Sequence, residues 1–146
     1  MPLIAALLAS LAAGLFTGAA VYITFVEHPA RVSCGSALAV TEFGPSYKRA
    51  TVMQASLALT GAGAGIGRWG AGGGLGWLIG GLVLGAVVPF TLVVLLPTNH
   101  RLLAASLDKA SPEAEVLLAR WGRLHAVRSA LSLVAFASFL ILLAKG

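Results

Sequence analysis

No Asp, Glu, Lys or Arg occurs between Met1 and Val26. That leaves few ways to fold, because a helix of about 20 apolar residues matches the hydrocarbon thickness of a bilayer. The run is too long, and too poor in basic residues at its start, for a cleaved signal peptide. We expect a first membrane-spanning helix over residues 3–27. It should end at Glu27-His28-Pro29, because proline disfavours helical geometry in the residue before it and polar groups suit the interface.

Three further apolar stretches follow. One runs over about 50–67 with Gln54 one turn inside and closes in the glycine-rich turn from Arg68 to Gly74. Another runs over about 75–96, kinked at Pro89 and stopped by Pro97. The last covers about 124–144. Its helix is expected to begin earlier, since Ser111-Pro112-Glu113 combines an N-cap, a first-turn proline and a first-turn acid. From there to Ala144 a helix is about 50 Å long, so its first turns should project into water. Arg31–Arg49 is too polar to span and is expected to be an aqueous or interfacial connection, with room for a short helix.

Only 10% of the 146 residues are charged and 58% are hydrophobic, and the mean hydropathy is +0.93. A soluble domain of this length cannot hide so much apolar surface in its own core. The expected fold is all-α, a four-transmembrane-helix bundle forming a single domain over residues 1–146. Glycines spaced by four, at Gly14 and Gly18, Gly61 and Gly65, Gly76 and Gly80, and Gly81 and Gly85, would let helix backbones approach closely. Gly61, Gly63 and Gly65 are not a nucleotide loop, because no strand precedes them and no phosphate-binding Lys follows.

Net charge is +5, but the basic residues are scattered over connections and interleaved with acids, which argues against nucleic acid as a partner. With four spans, Arg31, Lys48, Arg49, Arg101, Lys109, Arg120, Arg123 and Arg128 fall on one side. Arg68 and Lys145 fall on the other. That asymmetry puts the long connections in the cytoplasm and both termini outside. All five acids and all three histidines share the cytoplasmic side. Cys34 is the single cysteine, which excludes an internal disulfide, a CxxC pair and a thiolate metal cage.

The chemistry-bearing residues gather at the same end. Trp121, His125 and Arg128 are spaced by four and three, so on a continuous helix they share one face, and Ser132 extends the stripe. Thr17, Thr24 and His28 make a similar line on the first helix. Gln54 and Asn99 lie at the same level. A polar residue facing lipid is costly, so these groups should turn inward and converge, or snorkel to the surface and anchor the interface. The inward reading gives a pocket lined by His28, Gln54, Asn99, Trp121, His125 and Arg128. Histidine exchanges a proton near neutrality and arginine holds an anion. No HxxxH pair, CxxCH or carboxylate cluster supports a metal or haem shell, so no cofactor is indicated.

Several short motifs, taken in order, cover nearly the whole chain. They are Gly14 and Gly18 leading into Glu27-His28-Pro29-Ala30-Arg31, then Tyr47-Lys48-Arg49-Ala50 with Gln54. Pro97-Thr98-Asn99 follows, and then Trp121, His125 and Arg128. Together they resemble the anthrone oxygenase-like family of integral membrane proteins. The resemblance implies a four-helix membrane fold, and His28, Asn99, Trp121, His125 and Arg128 as the family-like positions. It also implies an activity: fungal members oxidise an anthrone to an anthraquinone without an evident cofactor. A histidine, His28 or His125, would then take an acidic proton from an apolar aromatic substrate, Arg128 would hold the anion, and dioxygen would react with it. Gln54, Asn99 and Trp121 would bind the substrate. The other function class is a non-catalytic membrane module that binds a lipid, a quinone or a partner protein. Expected partners are membrane lipid and an apolar small molecule, with a homo-oligomer left open. The expected location is the plasma membrane, as a bacterial inner-membrane protein.

Overall fold

The computed structural model describes residues 2–146. Four helices make up the chain: α1 (Pro2–Ser33), α2 (Ser36–Gly70), α3 (Leu75–Leu102) and α4 (Pro112–Ala144). Among the described residues there is no strand. α1, α3 and α4 are each long and apolar enough to cross a membrane. Side chains such as Leu11, Phe25, Val52 and Val93 point outward and are exposed, a distribution that suits lipid and not water. Consecutive helices pack as neighbours, and α4 returns to α1 to close the bundle.

The first connection is shorter than the sequence suggests. α1 continues through Pro29 to Ser33, and α2 already begins at Ser36. Only Cys34 and Gly35 turn the chain, and Gly35 has φ +93°, a left-handed conformation that costs a glycine nothing. Arg31–Arg49 is therefore mostly helical rather than an open connection. Pro97 likewise does not stop the third helix, which runs on to Leu102.

Two wide turns explain how the helices survive these prolines. Ile23–Glu27 and Thr91–Leu95 are π-helical, with the backbone N–H of His28 bonded to the Ile23 carbonyl and that of Leu96 to the Thr91 carbonyl. A proline ring collides with the carbonyl four residues earlier, which here means Phe25 for Pro29 and Val93 for Pro97. Each of those carbonyls lies inside a π-turn, where the wider ring gives it room. Shifting the bond pattern leaves nearby carbonyls short of donors, and threonine hydroxyls serve them. Thr24 donates to Ala20 at 3.0 Å and Thr91 to Val87 at 2.6 Å. At Pro89 the helix instead breaks at Ala86, between Leu75–Gly85 and Val87–Phe90.

Packing differs between the two ends. At the end near the α2–α3 turn, glycines let backbones touch. A Cβ on Gly61 would lie 2.6 Å from Leu84 Cδ2, and one on Gly81 would lie 3.0 Å from the Ala62 carbonyl oxygen. Phe139 of α4 fits the notch made by Gly65 and Gly80 and stacks on Trp77 with centroids 5.4 Å apart. Gly14 faces Phe136 of α4, whereas Gly18 faces open space, so only the first glycine of that pair serves close packing. At the other end Ile23, Phe43, Leu95, Leu102, Leu107, Leu118 and Trp121 form a second cluster. Ser111 caps α4 there by accepting from the Ala114 N–H at 3.2 Å.

Candidate functional site

Between the two clusters α2 and the Val87–Leu102 half of α3 meet only sparsely. The space they leave is a cavity of about 120 Å³, roughly ten times what one water requires and close to the size that accepts a benzene ring. Phe16, Ala58 and Val87 lie at its deep end, and Ile23, Val88, Leu92 and Leu95 give it apolar sides. The polar wall comes from Gln54, Asn99, Trp121, His125 and Arg128. Because α4 is an unbroken α-helix, its spacings of four and three keep Trp121, His125 and Arg128 on one face. Asn99 reaches the cavity because the π-turn before Pro97 lets the helix continue past it.

Each polar group is held differently. His125 is buried, stacks on Trp121 with centroids 4.7 Å apart, and has Nδ1 3.1 Å from Thr24 Oγ1. That hydroxyl is also 2.8 Å from Ser129 Oγ, which in turn lies 3.0 Å from the Ala20 carbonyl. Thr24 has one proton, and when it goes to Ala20 the Thr24 oxygen receives Nδ1–H. Nε2 then keeps the imidazole lone pair. Arg128 donates through Nη2 to Gln54 Oε1, and its guanidinium sits 5.2 Å over the Phe16 ring. Neither partner is an anion. Gln54 Nε2, Asn99 Oδ1, Trp121 Nε1 and Arg128 Nε are all buried without a hydrogen-bond partner. Such atoms are rare and costly in a folded protein, and they mark where a ligand would bond.

His28 is the one expected residue that does not line the cavity. Its ring lies against Trp121 with centroids 5.0 Å apart, and Gly122 makes the room for it, since a Cβ there would fall 2.7 Å from His28 Nε2. Its contact with the cavity wall is through the Trp121 indole. Four others were not among the expected lining residues, although Thr24 stood in the polar line of the first helix and Arg31 and Tyr47 stood in the family-like motifs. Arg31, 8% exposed, lines the cavity 5.9 Å over the Trp121 ring. It pairs with Glu27 and lies 2.9 Å from Glu42 through Nε. Tyr47 lines the cavity beside it, and Thr24 and Ser129 hold His125. Arg31 carried two signals, its place in the Glu27-His28-Pro29-Ala30-Arg31 motif and its helical spacing of four from Glu27. Nothing in the spacing of Thr24 or Ser129 points across to another helix. Among the described residues no group of three or more His, Cys, Asp or Glu side chains is arranged to hold a metal ion.

The structure is a four-helix bundle with apolar outer faces, as befits a membrane protein, and its cavity is lined by both an imidazole and a guanidinium that has no carboxylate partner. Residues 43–138 match the model of the family described as anthrone oxygenase, and the chain belongs to that family. The matched span takes in Gln54, Asn99, Trp121, His125 and Arg128 and leaves out His28 and Arg31. The chain is also similar to the anthrone oxygenase tpcL of Aspergillus fumigatus, at 41% identity over 61 residues. That segment is 40% of this chain and 38% of the relative, so the match spans well under half of the fungal protein. No solved structure matches the chain.

Proposed function

We propose that the protein is a membrane oxygenase acting on an apolar aromatic ketone or phenol of the anthrone type, without a cofactor in the proton-transfer step. The observation that carries this reading is Arg128. It is a cation in an apolar cavity, bonded to a neutral amide and an aromatic face, with no carboxylate among its contacts. A buried charge without a counter-ion is expensive, and an anionic ligand completes it. Removing the C10 proton of an anthrone gives such an anion, with the charge delocalised onto oxygen. His125 Nε2 takes the proton while Thr24 holds the opposite nitrogen, and Arg128 receives the oxyanion. Asn99 and Gln54 orient the reacting ring; the cavity is near the size of one ring, so the outer rings of an anthrone extend beyond it. His28 acts as a positioning residue that sets the tilt of Trp121. One dioxygen then adds to the carbanion and water leaves, so that anthrone and dioxygen become anthraquinone and water.

The basic asymmetry between the two ends supports a cytoplasmic location for the Arg31–Arg128 end in a plasma membrane, with both termini outside. The test is dioxygen uptake by purified protein given anthrone, with anthraquinone measured by absorbance. Uptake above the protein-free rate, at one dioxygen per quinone, is expected. Loss of the excess in His125→Ala should follow, since a positioned base contributes roughly two to four orders of magnitude. Anthrone binding with no uptake would refute the oxygenase reading and leave a binding module.

A further inference from the structure

We propose that the ligand reaches the cavity sideways from the bilayer, through an opening between α2 and α3 framed by Thr51, Ala55, Val88 and Leu92. The proposal rests on the reading of the cavity as a ligand site and names the substrate class as a molecule dissolved in lipid.

The end of the cavity facing the α1–α2 connection is closed. Phe43 stacks on Tyr47 with centroids 5.6 Å apart and meets Trp121 edge-on at 5.4 Å. Arg31, tied to Glu27 and Glu42, fills the adjoining corner. At the opposite end α2 and α3 pack closely, with Gly81 against the Ala62 carbonyl and the Leu84 side chain against Gly61. Towards α1 a second concavity shares Ile23, Ser46, Ala50 and Gln54 with the cavity, but Glu27, Glu42 and Arg49 also line it. Moving an apolar ring past three charged side chains is unfavourable. The α2–α3 side differs in both respects. Thr51 is exposed, Leu92 is 58% exposed, and Ala55 and Val88 are half-buried, yet all four line the cavity. They are uncharged and small or aliphatic, and Leu92 lies on the most lipid-like stretch of the chain, where α3 crosses. A neutral aromatic ligand partitions into that lipid, crosses the gap, and becomes charged only beside Arg128.

Photolabelling tests this without needing catalysis. The protein is placed in phosphatidylcholine vesicles with an apolar alkyl diazirine dissolved in the lipid, and labelled residues are mapped by mass spectrometry. Ala58 of α2 and Val87 of α3, each 1% exposed, should be labelled along with Leu82, which is exposed on α3. In the double variant Thr51→Trp/Leu92→Trp the labels on Ala58 and Val87 should fall at least fivefold while that on Leu82 stays. Unlabelled Ala58 and Val87 in the wild-type protein, or equal labelling in the plugged variant, overturns the lateral route. Labelling as expected with no anthrone-dependent dioxygen uptake keeps the route and overturns only the oxygenase reading.

Discussion

Replacing Arg128 with methionine should cost the ligand-free protein little and cost function heavily, and the contacts of the guanidinium set both sizes. Replacing a buried ion pair by apolar side chains of similar volume is neutral or stabilising by about 1–4 kcal/mol, and removing a buried charge that has no counter-ion relieves desolvation in the same direction. Against this, Gln54 loses its partner. Its amide oxygen then joins its already unpaired Nε2, at about 1–3 kcal/mol. The Phe16 contact contributes about 0.5–2 kcal/mol more. These terms nearly cancel, so Arg128→Met alone is expected within about 1 kcal/mol of wild type. Arg128→Met/Gln54→Leu, which removes the orphaned amide as well, is expected to be more stable than either single variant. Titration of helicity with dodecyl sulfate, on protein without added ligand, measures this. On the functional side, a charge-assisted bond of about 1.5–3 kcal/mol is lost from the bound anion. The value of kcat/KM for anthrone should therefore fall by roughly ten- to a hundredfold or more. Arg128→Lys should recover part of that loss but not the forked geometry. If Arg128→Met destabilised the ligand-free protein by more than about 3 kcal/mol and the double variant recovered nothing, Arg128 would be a structural residue, and the case for an anionic ligand would collapse.

Thr24→Val keeps the shape of the side chain but loses the bond to His125 Nδ1, and kcat should drop up to about tenfold with a smaller change in KM; an unchanged kcat in steady-state assays would show that Thr24 does not set the tautomer. Gly80→Ala brings a Cβ to 2.6 Å from the buried Phe139 ring and should destabilise by about 1–3 kcal/mol, with Phe139→Leu in the same chain restoring most of it and Gly18→Ala, facing open space, costing nothing, all read by thermal melting in detergent. For orientation, a membrane-impermeant maleimide applied to intact cells should miss Cys34, exposed in the α1–α2 turn, and modify Ala71→Cys in the opposite turn; Ala71 is a better site than Gly72, whose φ of +87° would strain a cysteine. The reverse labelling pattern would invert the proposed orientation.

Much of the fold was legible because lipid imposes simple demands. Charge-free runs marked the apolar parts of the helices, although α2 begins at Ser36, well before the expected run over about 50–67, and Ser111-Pro112 marked the start of α4 as the structure has it. The line of Trp121, His125 and Arg128 was legible for the same reason, since α4 is regular and 3.6 residues per turn applies throughout. The matching line of Thr17, Thr24 and His28 was drawn on an ideal helix that does not exist. The π-turn at Ile23–Glu27 adds in effect one residue, which rotates everything after it by about 100°. Thr24, at the start of that turn, still meets His125, while His28, just past it, lands behind Trp121. The prolines that suggested helix ends were real signals with the other outcome, because a wide turn relieves the same clash that a break would. Ser129 stayed hidden because Thr24 and Ala20 lie on another helix, and the place of Arg31 in the cavity stayed hidden because it is set by Glu42 and Trp121 on other helices; spacing within one helix carries no information about contacts between two.

The glycine contacts between α2 and α3 also act as a fulcrum. Leu84 and Leu92 are about 12 Å apart along the helix axis at 1.5 Å per residue. A tilt of about 5° about the Gly61–Leu84 contact therefore moves the far arm by about 1 Å. That is enough to change which ring systems pass between Thr51 and Leu92. On the proposed lateral route, substitutions at Gly61 or Leu84, neither of which lines the cavity, would reset the gap for every molecule that enters, and the pivot as well as the walls would govern selectivity.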